Sequence, residues 1–202
     1  AVVFTGDQVN SHYDSEQWDA FAAVIADIDQ SVKVLHMPGN HDVMISEGAV
    51  DSSPFTDRYG DDRFLLCERG VRLVGINSNL IKYDDPRETE QLEWMKDALK
   101  KKDASEVSLL FSHHPFFLKE IGEDDGYFQI QKSKRQTYFD LCAESDVDAL
   151  YAGHLHNNSF GEYSGMPVRT TTSVAFQIGD AQPSIRVITI ADGVISDRLL
   201  NI

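Results

Sequence analysis

The sequence predicts an α/β fold, and three observations carry that prediction. Short apolar runs of strand length alternate with longer segments of helical periodicity. Four of the apolar runs end in a compact polar tip. Beyond residue 156 only strand and turn signals remain, so alternating units come first and a meander of strands comes last. The 202 residues show no internal repeat and no Pro/Gly-rich linker, which predicts one domain over 1–202.

The first run, VVFT (2–5), reads as a strand that stops at Gly6-Asp7. In SEQWDAFAAVIADID the residues Trp18, Phe21, Ile25 and Ile28 recur at 3-4-3 spacing, which predicts a helix with Ser15 as its N-cap. VKVLHM (32–37) is the next strand and leads into Gly39-Asn40-His41-Asp42. RFLLCE and VRLVGIN flank Glu68-Arg69-Gly70 as a hairpin. In DPRETEQLEWMKDALKKK, Asp85 is placed to cap, Pro86 suits the first helical position, and Leu92, Met95 and Leu99 form the buried stripe. Lys100 to Lys102 close that helix and complement its dipole. VSLLFS (107–112) leads into His113-His114-Pro115, a third helix covers Ser133 to Glu144, and VDALYA (147–152) leads into Gly153-His154-Leu155-His156. Strands near 158–163, 166–172, 185–190 and 194–200 are joined by turns at Ser164-Gly165 and Asp192-Gly193.

Composition narrows the function. Eighteen Lys and Arg against 33 Asp and Glu give a net charge of −15, which repels phosphate backbones and disfavours nucleic-acid binding or a nuclease. No run approaches the roughly 18 apolar residues of a membrane span, and no leader pattern stands at residue 1. Cys67 and Cys142 lack metal-type spacing and read as reduced thiols packed in apolar surroundings, which fits a cytoplasmic protein. Nothing in the sequence speaks to oligomeric state.

The polar tips carry the chemistry, for they hold five of the seven histidines. In open α/β sheets ligands bind outside the carboxyl ends of the strands, so the four tips are expected to converge on one rim. Imidazole nitrogen, carboxylate oxygen and amide oxygen without thiolate suit Mn, Fe or Zn in a site left open for chemistry. In His154-Leu155-His156 an extended backbone would put both rings on one face, whereas a turn would aim them at neighbouring positions. A single histidine at a strand end is more often a hydrogen-bonded residue than a ligand; the ordered set is what points to a metal. Glu120, Glu123, Asp124 and Asp125 read as a solvated charge run or as the border of a cleft. Tyr127 and Phe128 read as packing or as a stacking surface for a ligand. Asn10 and His12 follow the first tip closely enough to face the site, and His36 reads as a core histidine.

In chain order Gly6-Asp7, Gly39-Asn40-His41-Asp42, His113-His114-Pro115 and Gly153-His154-Leu155-His156 resemble four of the five motifs of the calcineurin-like metallophosphoesterases. The fifth, D-x-H, does not stand before Gly6. The stretches FFLKEIGEDDGYFQIQKSKRQ (116–136) and SVAFQIGDAQPSIRVITI (173–190) are similar to a subgroup that includes serine/threonine phosphatases. The resemblance implies a four-layer α/β/β/α sandwich that lacks its first strand, and so an N-terminally incomplete domain. It implies two metal ions, Mn, Fe or Zn, with Asp7 bridging them. Asn40, His113 and His154 would complete the second metal's ligands, and His156 would go to the first, which keeps few protein ligands here. His113 is preferred to His114 because family members place the ligand two residues before the proline. His114 would lie beside the ligands, where it and Asn40 contact substrate. His41 would be the general acid and Asp42 would orient it. The implied activity is hydrolysis of phosphomonoesters, in small molecules or phosphoproteins, by in-line attack of hydroxide formed where metals lower the pKa of water. A phosphodiesterase on cyclic nucleotides or small diesters fits the same motifs. A non-catalytic binding module of the same fold is the third reading.

Overall fold

The computed structural model describes residues 1–101, 103 and 106–202. Strand β1 (Val2–Phe4) leads through a loop to α1 (Ser15–Ala26) and back to β2 (Val34–His36), which lies parallel to β1 with Phe4 opposite His36. The N-cap of α1 is Asp14 and not Ser15. Asp14 has an extended backbone, and its Oδ1 accepts from the amides of Glu16 and Gln17 at 3.0 and 3.2 Å. Trp18 is buried, Phe21 and Ile25 are half-buried, and Ile28 lies past the helix end.

A small hairpin, β3 (Met44–Ser46) with β4 (Ala49–Asp51), and a short helix α2 (Ser53–Tyr59) follow. The expected hairpin is β5 (Phe64–Glu68) with β6 (Val71–Gly75), turning at Arg69 and Gly70, both at positive φ. Next come α3 (Ser78–Lys82), α4 (Glu88–Leu99), β7 (Val107–Ser112), α5 (Lys132–Glu144), β8 (Ala149–Ala152), β9 (Ser159–Tyr163) and β10 (Met166–Thr170). The chain closes with β11 (Ser184–Ala191) and β12 (Val194–Asn201), paired antiparallel. The turns at Ser164-Gly165 and Asp192-Gly193 have positive φ at both residues, which matches the twist of the strands they join.

Helix α4 starts later than its sequence suggests. Asp85 does not cap it: its carboxylate accepts from the amides of Val50 and Arg87 at 2.7 and 2.9 Å and ties the helix entry to β4. The buried face of α4 is Gln91, Met95, Ala98 and Leu99, with Leu92 partly buried. Lys100 is the C-cap residue, and Lys102 lies outside the described residues.

Six strands form one sheet in the order β5-β6-β7-β8-β10-β9, with β6, β7, β8 and β10 parallel and the two outer strands antiparallel. Every residue of β7 and β8 is buried, as expected for parallel strands covered on both faces. Side chains alternate accordingly. Leu110 and Leu150 face Met95 and Leu99 of α4 and Phe139 and Cys142 of α5. Leu109, Phe111, Ala149 and Tyr151 face Val3, Met37, Ile188, Ile190 and Ile195. Outside the β1–β2 pair lies α1, with Phe21 edge-on to Phe4 at 5.1 Å between ring centres. The layers are helices, sheet, strand pairs and helix, which is the expected four-layer sandwich. No helix among the described residues is long and apolar enough to cross a membrane.

Of the two cysteines expected to be packed, only Cys142 is. Cys67 is exposed on the edge strand β5. Burial pushes the Cys142 thiol up to about 12. Native protein should therefore react with one equivalent of a thiol reagent through Cys67, and unfolded protein with two; two fast equivalents in the native state would place Cys142 outside the core.

Candidate metal centre

Parallel pairing sets the carboxyl ends of β1, β2, β7 and β8 on one rim, and the four polar tips meet there. His113 is the hub. Its Nδ1 lies 2.7 Å from the Thr5 carbonyl oxygen. A carbonyl only accepts, so Nδ1 carries the proton and donates it. Nε2 of neutral His113 is then a lone pair, and it faces Asn40 Oδ1 at 3.1 Å, His154 Nδ1 at 3.1 Å and Asp7 Oδ2 at 3.3 Å. Four Lewis-basic atoms crowd one point in a buried place. Such a set is held together by a cation or by a proton, either an extra one on His113 Nε2 or the one that neutral His154 carries when its tautomer places it on Nδ1. Two imidazole nitrogens, an amide oxygen and a carboxylate oxygen fit a borderline metal ion, so the residues present suit the group the sequence implies.

The electrostatics agree. Burial acts against charge on His113, but Asp7 and the Thr5 carbonyl outweigh it and hold its pKa above the usual value. Burial pushes Asp7 up, while His113 and the hydrogen bonds from His113 and the His41 amide pull it further down, so it stays ionised. Burial, then the His113 charge, lowers His154 to about 3, which leaves its ring neutral with a lone pair to give.

The backbone is bent to make this set. Asp7, His154 and His156 all have positive φ, at 55°, 64° and 52°, a conformation that costs a non-glycine residue and that clusters at functional sites. His154-Leu155-His156 is thus the turn rather than the extended strand. His154 joins the hub, whereas His156 turns its Nδ1 to the Phe176 carbonyl at 2.8 Å and packs on the Phe176 ring. Gly39 permits the closest approach: a Cβ there would fall 2.1 Å from Asp7 Oδ1 and 2.3 Å from the Asp7 amide. Gly39→Ala should cost about 1–3 kcal/mol of stability and lower the protein's metal occupancy. Thermal unfolding and metal analysis of the variant check both; wild-type values would show that the loop has slack.

Asp42 is fully buried and does something other than orient His41. Its Oδ2 accepts from the amides of Asp7 and Gly39, both at 2.7 Å, and its Oδ1 from the Val9 amide at 3.2 Å. It fastens the first tip to the second. Burial, then the Asp7 charge, pushes its carboxyl up to about 7 against the pull of those amides. The His41 ring is exposed and rests on the Asn10 carbonyl, Nδ1 to O at 2.9 Å, while its backbone amide donates to Asp7 Oδ1 at 3.0 Å.

His114 is fully buried behind the hub, within 4.8 Å of the ligand atoms of His113 and His154. Its Nδ1 is 3.0 Å from Ser78 Oγ, and its Nε2 has no hydrogen-bond partner. Burial, then the charge on His113, keeps it neutral. Ser78 and Asn79 escaped the sequence reading, although VRLVGIN is a fifth apolar strand with a polar end. Asn79 Nδ2 donates to the carbonyls of Pro38 at 3.3 Å and Gly39 at 3.2 Å and so clamps the second tip. His36 is stacked between Phe4 and Tyr59 in the core.

The acidic stretch is neither a plain solvated run nor a bare cleft border. Glu123 accepts from the amides of Leu118 and Lys119 at 2.7 and 2.9 Å, and buried Arg135 donates to the carbonyls of Ile121, Glu123 and Ile130. Anchored this way, the loop sets Tyr127 and Phe128 with ring centres 5.8 and 5.6 Å from His154.

Known proteins are similar to this chain. The family pattern described as calcineurin-like phosphoesterase matches residues 1–158. The bovine (Bos taurus) serine/threonine-protein phosphatase CPPED1 is 30% identical over 189 residues, covering 91% of this chain and 60% of that protein. The chain thus spans about three-fifths of that relative's length. Among solved structures, a dimetal phosphatase from Danio rerio superposes with a TM-score of 0.60 at 17% identity, over 98% of this chain and 80% of the other. Purple acid phosphatase from yellow lupin gives 0.62 at 19% identity, over 78% of this chain and 30% of the other. On the match to residues 1–158, this chain belongs to the calcineurin-like phosphoesterase family.

Proposed function

We propose that this chain is a metal-dependent hydrolase of phosphomonoesters, phosphoserine and phosphothreonine in proteins among them, with His41 as the general acid. The observation that carries the reading is the crowd of acceptor atoms around His113 Nε2, with the exposed His41 ring beside it. Asp7, Asn40, His113 and His154 would hold one metal, with Asp7 shared toward a second; Mn, Fe and Zn suit these donors. Metals bound there would neutralise the phosphoryl oxygens and make hydroxide available near neutral pH.

The chain's own residues supply the remainder. The Asn10 carbonyl keeps the first proton of His41 on Nδ1, which leaves Nε2, the free edge of the ring, as the place for a second. That proton is the one to be given to the departing alkoxide oxygen. Because the His41 amide also holds Asp7 Oδ1, proton donor and metal-binding carboxylate are fixed to each other. Ser78 and Asn79 hold His114 and the second tip in register with them. The bovine relative's name, a serine/threonine-protein phosphatase, supports the monoester class. Hydrolysis of p-nitrophenyl phosphate against its bis-ester, with Mn(II) added, tests the reading. Monoester preference is expected; clear preference for the bis-ester would replace it with a diesterase.

A further inference from the structure

A groove of about 360 Å³ opens directly beside His41, lined by Asn10, His12, Tyr13, His41, Val43 and Ile45 among others. Its wall is apolar and aromatic. Tyr13 is 79% exposed, and Ile45 is 37% exposed on the facing hairpin. Large apolar groups held in water need a reason when they stand together at a site.

Tyr13 is held in place. Its ring lies 3.9 Å from the His12 ring, centre to centre. The loop that carries it is pinned to α1 at three points. Gln17 Oε1 accepts from the Asn10 and Ser11 amides at 2.7 and 3.2 Å, and Trp18 Nε1 donates to the His12 carbonyl at 3.1 Å. Its fourth anchor is functional, since the Asn10 carbonyl holds the His41 ring. An aromatic side chain on a pre-set loop loses little entropy when it packs on a ligand.

We infer that this groove is the leaving-group subsite and that Tyr13 makes it select phosphoesters whose leaving group is planar and aromatic. The inference rests on the proposed role of His41: a general acid must face the departing oxygen, so whatever that oxygen carries lies along the surface next to His41. That surface is the wall of Tyr13 and Ile45. The loop that carries Tyr13 also holds the His41 ring through the Asn10 carbonyl, which sets the spacing between the acid and the selectivity residue.

Binding of non-hydrolysable phosphonates tests this without turnover. Phenylphosphonate and methylphosphonate differ only in the group that would occupy the groove. Calorimetric titration of the Mn(II)-loaded chain should give a Kd about three- to tenfold lower for phenylphosphonate. Tyr13→Ala should bring the two Kd values within twofold, and Tyr13→Phe should keep the preference. Because Tyr13 is largely exposed, the variants should melt as the wild type does, which a thermal scan verifies. Equal Kd values in the wild type, or a preference that survives Tyr13→Ala, would overturn the subsite while leaving the proposed hydrolase intact. Failure of both phosphonates to bind would overturn the subsite and the proposed hydrolase together.

Discussion

His41→Ala is expected to lower kcat by about 10²- to 10⁴-fold while metal content stays at the wild-type level. The size follows from what the ring does and what it does not do. Its exposed face and single ring contact, to the Asn10 carbonyl, mean that little packing is lost with it. The contact to Asp7 runs through the His41 backbone amide and survives in alanine. The loss should therefore fall on the chemical step. It should be larger for an alkyl phosphate, whose alkoxide leaves poorly without a proton, than for p-nitrophenyl phosphate. Equal losses on both substrates would assign His41 to binding instead. Unchanged kcat would remove it from the mechanism.

His113→Ala is the second large effect, and it acts both with and without metal. With metal bound, the variant loses the ligand at the centre of the cradle. Its affinity should fall by more than the roughly 10- to 100-fold typical of disturbing a residue behind a ligand, and hydrolysis should fall with it. Without metal, a proton on His113 pairs Nε2 with Asp7, so the variant leaves that largely buried carboxylate without its partner. Adding Mn(II) at about 100 times Kd should stabilise wild type by ~2.7 kcal/mol, a rise of roughly 5–10 °C in Tm for a chain of this size. His113→Ala should lose that rise, and its metal-free form should melt below metal-free wild type. Thermal scans with and without Mn(II) give all four values. A variant that keeps the Mn(II)-dependent rise would show that the ion binds elsewhere.

Much of this site could be read before the fold was seen, for a physical reason. A metal-type side chain at the end of an apolar strand is marked twice, by the run before it and by the glycine or proline that lets the chain turn. Asp7, Asn40, His113 and His154 carry both marks, and all four meet at the hub. His156 carries the same marks but is turned to Phe176, because positive φ at both His154 and His156 sends the two rings of that tip in different directions. Side-chain direction at such turns is not encoded in spacing. Asp42 shows the same limit. A carboxylate beside a histidine in sequence suggests a pair, yet three amides from two loops claim its oxygens. Ser78 and Asn79 were hidden because α3 spans only five residues, too few for a helical period to register. The β3–β4 hairpin and α2 were missed on the same ground. Asp14 and Ser15 are both good capping residues, and only the backbone angle of Asp14 decides between them.

A metal cradle made of His113 Nε2 and the three atoms around it differs measurably from a cluster that shares a proton. Its most direct test is pulsed electron paramagnetic resonance of the chain loaded with one equivalent of Mn(II) and freed of loosely held ion. Retained Mn(II) is expected, with nitrogen couplings from two imidazoles, one of which disappears in His113→Ala and the other in His154→Ala. Mn(II) that washes away, or that remains without nitrogen coupling, would contradict it.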